Sequence, residues 1–182
     1  MRKWLISLSA VSVVVVTVAV LAFAQPGKGG REAPFGDRVS ARLYNYNRPT
    51  PFMGTGGAPA PGGVAELASL GFKLIIDLRG LGEDGVAREV DEAKKAGLRY
   101  VNIPVTTLMP TPDQVAQFAT LIEQPGNWPV FVHCGSAARV GGIWALYRAG
   151  KGVPAMVALE EGRGIGLRGR REAAARRILG LE

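Results

Sequence analysis

Short apolar runs alternating with helix-length stretches restrict this chain more than any other feature. Phe72–Leu78 (FKLIIDL), Tyr100–Val105 and Val130–His133 are too short for buried helices and rich in branched or aromatic residues, so each reads as a strand. Helical stretches lie between and after them: about Val86–Ala96 closed by Gly97, Thr111 to about Glu123, Val140–Ala149 stopped by Gly150, then about Pro154–Glu161 and Arg170–Leu179. Thr111-Pro112-Asp113-Gln114 supplies an N-cap, a proline at the first helical position and a capping-box glutamine. Residues 50–63 (TPFMGTGGAPAPGG) read as loop, with Pro61 able to open a helix to Leu70 that Gly71 ends. Strands separated by helices predict an α/β fold, a mostly parallel central sheet flanked by helices. Ligands of such a sheet collect outside the carboxyl ends of its strands, where the loops here begin at Arg79, Thr106 and Cys134.

The 182 residues suit one domain with appendages. Arg2 and Lys3 precede an uncharged stretch, Trp4–Ala24, ending in Ala22-Phe23-Ala24. That pattern fits a cleaved export signal, and the length also fits a retained membrane anchor, so residues 1–24 are expected to be one or the other. Both place the protein outside the cytoplasm, and the anchor associates it with a membrane through residues 4–24. Residues 25–41 read as a flexible tether, and 42–182 as the folded domain. One cysteine and one histidine exclude an internal disulfide framework and multi-Cys or His-rich metal sites, and no cofactor is expected. The net charge of +7 gathers near the end, at Arg163, Arg168, Arg170, Arg171, Arg176 and Arg177. No aromatics interleave with these arginines, so they read as a solvated basic helix face and nucleic acid is not an expected partner.

Val130–Gly142 (V-F-V-H-C-G-S-A-A-R-V-G-G) carries the chemistry. A strand enters a tight loop of small residues, and the loop opens a helix. Backbone N–H groups of such a loop can face an anion, assisted by the helix's positive end. Arg139 closes the loop with a planar fork able to hold two phosphate oxygens. Cys134 opens it, where a thiol loses its proton readily. A lone cysteine at a strand end is otherwise a small core residue, and His133 before it either caps the strand or helps hold the loop.

His133-Cys134 ending a strand, with Arg139 opening a helix, resembles the signature loop of the cysteine-dependent protein tyrosine and dual-specificity phosphatases. FKLIIDLR, Gly97–Val105 (GLRYVNIPV) and Pro110–Phe118 (PTPDQVAQF) resemble the compact bacterial dual-specificity-like members, similar to the phosphatase-like domain sometimes joined to a β-lactamase-type hydrolase. The resemblance covers about residues 42–180 and implies a three-layer phosphatase architecture acting on a phosphorylated protein or small molecule, as a monomer. It implies Cys134 as nucleophile through a cysteinyl phosphate, and Gly135, Ser136, Ala137, Ala138 and Arg139 as the phosphate cradle. His133 would support the loop, and no metal would be needed. Arg79, at the same sheet edge, is either a further phosphate ligand or a surface arginine. Three features depart from the family. Four residues rather than five separate Cys134 from Arg139, Val140 replaces the usual Ser or Thr, and Thr106–Met109 lacks the acidic residue expected there. Asp113 is the nearest substitute acid, unless it only favours its helix dipole, with Glu83 and Asp84 as fallbacks.

Two other classes fit the residues. A rhodanese-type sulfurtransferase also uses a strand, a cysteine loop and a helix, and Asp77-Leu78-Arg79 suits it. A phosphate-binding domain with little turnover is the non-enzyme alternative. Gly164-Ile165-Gly166-Leu167-Arg168-Gly169 matches a dinucleotide fingerprint, but it follows a helix rather than a strand and is set aside.

Overall fold

The computed structural model describes residues 31–32 and 37–182. The expected signal or anchor lies outside the described residues. Among those described, no helix is long and apolar enough to cross a membrane.

Strands β1 (Arg31–Glu32) and β2 (Arg38–Val39) form a small antiparallel pair. The main sheet holds β3 (Asn47–Thr50), β4 (Met53–Gly56), β5 (Leu74–Asp77), β6 (Arg99–Asn102) and β7 (Val130–His133) in the order β3-β4-β7-β5-β6. Only β3 runs antiparallel, so the expected mostly parallel α/β sheet is present. Helices α1 (Gly63–Ser69), α2 (Val86–Lys95), α3 (Pro112–Ile122), α4 (Ala138–Gly150), α5 (Ala155–Ile165) and α6 (Gly169–Ile178) complete the fold. The Thr111 capping box and its following proline start α3 as read from the sequence.

Side chains alternate across the central strands and create two cores. Leu74, Ile76, Val130, Val132 and Cys134 pack with Phe118, Ile122, Val140 and Ile143 from α3 and α4. Ile75 and Phe131 pack with Val64 and Leu67 of α1 and Ala93 of α2 on the other face. This two-residue period decides the site's chemistry, because neighbouring residues at the end of β7 are sent to opposite faces of the sheet.

The structure corrects two readings. Residues 50–63 contain β4, a buried strand beside the central β7. Its glycines serve close packing: a Cβ on Gly54 would lie 2.6 Å from the Phe72 ring, and one on Gly56 2.9 Å from that of Phe131. The described end of the supposed tether is also tied into the domain. Asp37 accepts hydrogen bonds from Tyr46 (2.5 Å) and Arg48 (2.6 Å), Ser40 donates twice to Glu66, and Val39 is buried.

Helices α4 and α5 meet backbone to backbone. A Cβ on Gly141 would fall 2.4 Å from the Gly162 carbonyl oxygen and 2.5 Å from the Leu167 nitrogen. Gly141→Ala is therefore expected to lower stability by about 3 kcal/mol, at the upper end of overpacking costs, because backbone cannot yield as a side chain does. Urea unfolding checks this, and a loss below about 1 kcal/mol would show that the helices can separate.

Candidate active site

The loop from Cys134 to Arg139 leaves the central strand at the sheet's carboxyl edge. Its carbonyls are engaged from outside, with Gly135 O accepting from Ala58 N–H (3.5 Å) and Ser136 O from Asn45 Nδ2 (3.4 Å). A planar trans peptide directs its N–H opposite to its C=O, so the Ser136 N–H faces the other way, into the loop. Ala137 adopts a left-handed conformation (φ 70°) and begins α4 two residues earlier than the sequence suggested. The first-turn N–H groups of Ala138, Arg139 and Val140 have no intrahelical acceptor, and no side chain caps them. These N–H groups lie at a helix N-terminus, the place where the loop's small residues predict an anion cradle. Cys134, which opens the loop, is only 1% exposed. Its side chain packs in the α3/α4 core with Val132, Val140 and Ile143.

Arg139 is held by Glu83. The Glu83 carboxylate accepts from Arg139 Nη1 at 2.5 Å and from Nη2 at 2.6 Å, and Nη1 also approaches the carbonyls of Leu78 (3.3 Å) and Val105 (3.4 Å). These partners take the end of the guanidinium, and among the described residues Nε and the second Nη2 hydrogen have no oxygen acceptor. Nη2 lies 3.7 Å from where a Gly135 Cβ would be, which turns this nitrogen towards the loop. Hydrogen bonds from Arg139 hold the Glu83 carboxyl below the usual carboxylate range, outweighing the upward push of its partial burial. Glu83 is thus an ionised orienting group, ill-suited to the donor role considered for it.

These features accompany a clear similarity. The family described as "DSP-PTPase phosphatase fused to NAD+ Kinase" matches residues 43–169. The chain belongs to this phosphatase family. The superfamily expected from His133–Arg139 is thus found, and within it the description names an NAD+ kinase fusion where the sequence reading named a β-lactamase-type hydrolase. TpbA from P. aeruginosa shares the fold at 24% identity and TM-score 0.60, over 76% of this chain and 86% of its own. The catalytic core of the PP-IP phosphatase SIW14 from S. cerevisiae does so at 15% identity and TM-score 0.61, over 76% and 91%. Tk-PTP in its active form does so at 20% identity and TM-score 0.59, over 74% and 95%. No curated protein matches the chain.

In this phosphatase domain Arg79 and His133 are placed away from the cradle. Arg79 is 2% exposed, with four of its five N–H donors engaged. Its Nε and Nη2 donate to Asp77 (2.8–3.0 Å), Nη2 to Glu89 (2.5 Å) and Nη1 to the Asp84 carbonyl (2.9 Å). The expectation that it binds phosphate is corrected, because two buried carboxylates already hold its donors. His133 follows the strand alternation to that same face, opposite Cys134. Its Nε2 lies 2.6 Å from Glu89 Oε1, although neither ring nitrogen is aligned for a hydrogen bond. The ring thus faces α2 from the end of β7 and stacks on Phe131. Burial pushes the Asp77 carboxyl up, but His133 and hydrogen bonds from Arg79 and Tyr100 hold it below the ordinary value. Asp77, Glu89 and His133 bring metal-type ligand atoms within 4.8 Å of one another, yet the Arg79 guanidinium already bridges the two carboxylates.

Asp113 is exposed in the first turn of α3 and, among the described residues, has no hydrogen bond or ion pair to the cradle. The structure thus does not join it to the other candidates, and its position suits the helix dipole. Two arginines that the sequence presents only as solvated charges approach the loop. Arg168 Nη2 donates to Ser136 Oγ at 3.1 Å, and Arg171 Nη1 donates to the carbonyls of Thr107 (3.0 Å) and Leu108. The arginine-rich segment read as a solvated face therefore turns part of itself towards the loop.

Proposed function

We propose that this domain hydrolyses phosphomonoesters through a cysteinyl-phosphate intermediate. The observation supporting this reading is that one short loop, Cys134–Arg139, carries a cysteine at its start, the uncapped amides opening α4 at its end, and an Arg139 guanidinium turned towards Gly135. A phosphoryl dianion in the cradle would meet donors on its equatorial oxygens and the sulfur on its remaining side. The Cys134 thiolate forms the S–P bond as the ester P–O bond breaks, and the departing oxygen carries the electron pair away. Water then attacks phosphorus, the S–P bond breaks, and phosphate leaves with the thiolate restored. With Glu83 held ionised and Asp113 unconnected to the loop, the leaving oxygen draws its proton from water. Aryl phosphates should therefore react far better than alkyl ones, since general-acid help is worth about 10²–10⁴-fold.

The test offers the full chain p-nitrophenyl phosphate and, separately, thiosulfate with cyanide. Phosphate release that vanadate inhibits is the expected result. Thiocyanate without phosphate release would replace this reading with sulfur transfer. Vanadate binding without turnover would reduce the domain to an anion binder.

A further inference from the structure

Three guanidiniums gather at this edge: Arg139 ends the loop, Arg168 reaches its Ser136, and Arg171 is anchored on the neighbouring loop at Thr107 and Leu108; one carboxylate, that of Glu83, pairs with Arg139. The hydrogen bonds made by Arg168 and Arg171 go to neutral acceptors: Arg168 Nη1 to the Gly166 carbonyl (3.2 Å) and Nη2 to Ser136 Oγ, and Arg171 Nη1 to the Thr107 and Leu108 carbonyls. Among the described residues neither has an acidic partner, because Glu172, the nearest acid on α6, is held by Arg163. Each side chain is thus oriented through one edge and retains unspent donors. Burial and the repulsion of Arg139 pull the Arg171 guanidinium below its ordinary value, against the opposite pull of Cys134 and Glu83, which marks these cations as close neighbours. Like charges held together this way favour an anion among them.

One phosphoryl group is accommodated by the loop amides and Arg139. We infer that Arg168 and Arg171 form a second anion subsite beside the cradle, and that the substrate is a small molecule bearing a second phosphate next to the one removed. This inference rests on the phosphatase reading and adds the substrate class to it. Arg168 is the nearer residue, since Ser136 belongs to the loop. Arg171 is held to the loop following β6 by the Thr107 and Leu108 carbonyls. Gly169 lies between the two arginines with a φ of 60°, a conformation that a side chain would strain.

Calorimetric titration of the full chain with orthophosphate and with methylenediphosphonate, which cannot be hydrolysed, tests the subsite. The diphosphonate is expected to bind at least about tenfold more tightly, as one charge-assisted hydrogen bond supplies. Arg168→Ala and Arg171→Ala should each cut that preference, and the double variant should bring the two affinities together. Circular dichroism and the thermal midpoint establish that each variant is folded. Equal affinities in the unaltered protein, or a preference that survives the double variant, would overturn the subsite and leave the phosphatase reading standing. Binding of neither anion would overturn both.

Discussion

Cys134→Ser is expected to lower phosphate release from p-nitrophenyl phosphate by about 10⁴-fold or more, the scale seen when an enzyme loses its nucleophile. The reason is the ionisation of the attacking atom. The thiolate is the nucleophile in such chemistry, and a hydroxyl ionises far less readily than a thiol. The substitution changes little else. The residue is 1% exposed and packs with Val132 and Val140, so the hydroxyl adds a desolvation cost of about 1–3 kcal/mol. Orthophosphate binding should persist because the amides and Arg139 remain. Retained turnover would place the nucleophile elsewhere, and joint loss of turnover and circular dichroism signal would point to a packing role for the sulfur.

Much of this site was legible in the sequence because its parts are contiguous. Val130–Arg139 is a strand, a turn and a helix start, and local chemistry is enough to assemble them. What escaped depends on distant segments meeting. Arg168 lies 32 residues from Ser136 along the chain, and Arg171 lies 64 from Thr107. In composition both arginines look like solvated charges. Glu83 was considered only as an acid, because its pairing with Arg139, 56 residues away, exists only once β5 and β7 are neighbours. The position of β7 between β4 and β5 is a fact of topology that no local pattern records.

The fold shows the same division. Strands β5 and β7, buried on both faces, read as continuous apolar runs. Strand β4 is also wholly buried, but Met53-Gly54-Thr55-Gly56 has the composition of a turn. Its glycines answer to the Phe72 and Phe131 rings, which belong to other elements. Arg79 was misread for a related reason. Its place at a strand's carboxyl end correctly put it at the functional edge, but the period of two sends Asp77 to the α2 face, where Glu89 also arrives.

That burial makes Arg79→Met the substitution with the largest expected cost in stability, about 3–5 kcal/mol, the range for removing one partner from a buried ion pair. Methionine fills much of the volume, so the loss comes chiefly from charge. Asp77 and Glu89, both 0% exposed, would be left without the cation between them. Tyr100 would still donate to Asp77 and His133 would still face Glu89, but a phenol and one imidazole cannot supply the Nε, Nη1 and Nη2 donors that Arg79 directs at three acceptors. Lysine should rescue little, since an ammonium is a point donor where the site requires a planar fork. Replacing Glu89 by Gln in the Arg79→Met background should recover part of the loss, because one stranded charge is removed and coupled partners do not add. Urea unfolding followed by tryptophan fluorescence measures each variant, with kinetics on p-nitrophenyl phosphate taken well below the unfolding midpoint. If Arg79→Met instead leaves stability within about 1 kcal/mol and raises KM, the guanidinium serves the substrate after all, and the buried network must hold together by other means.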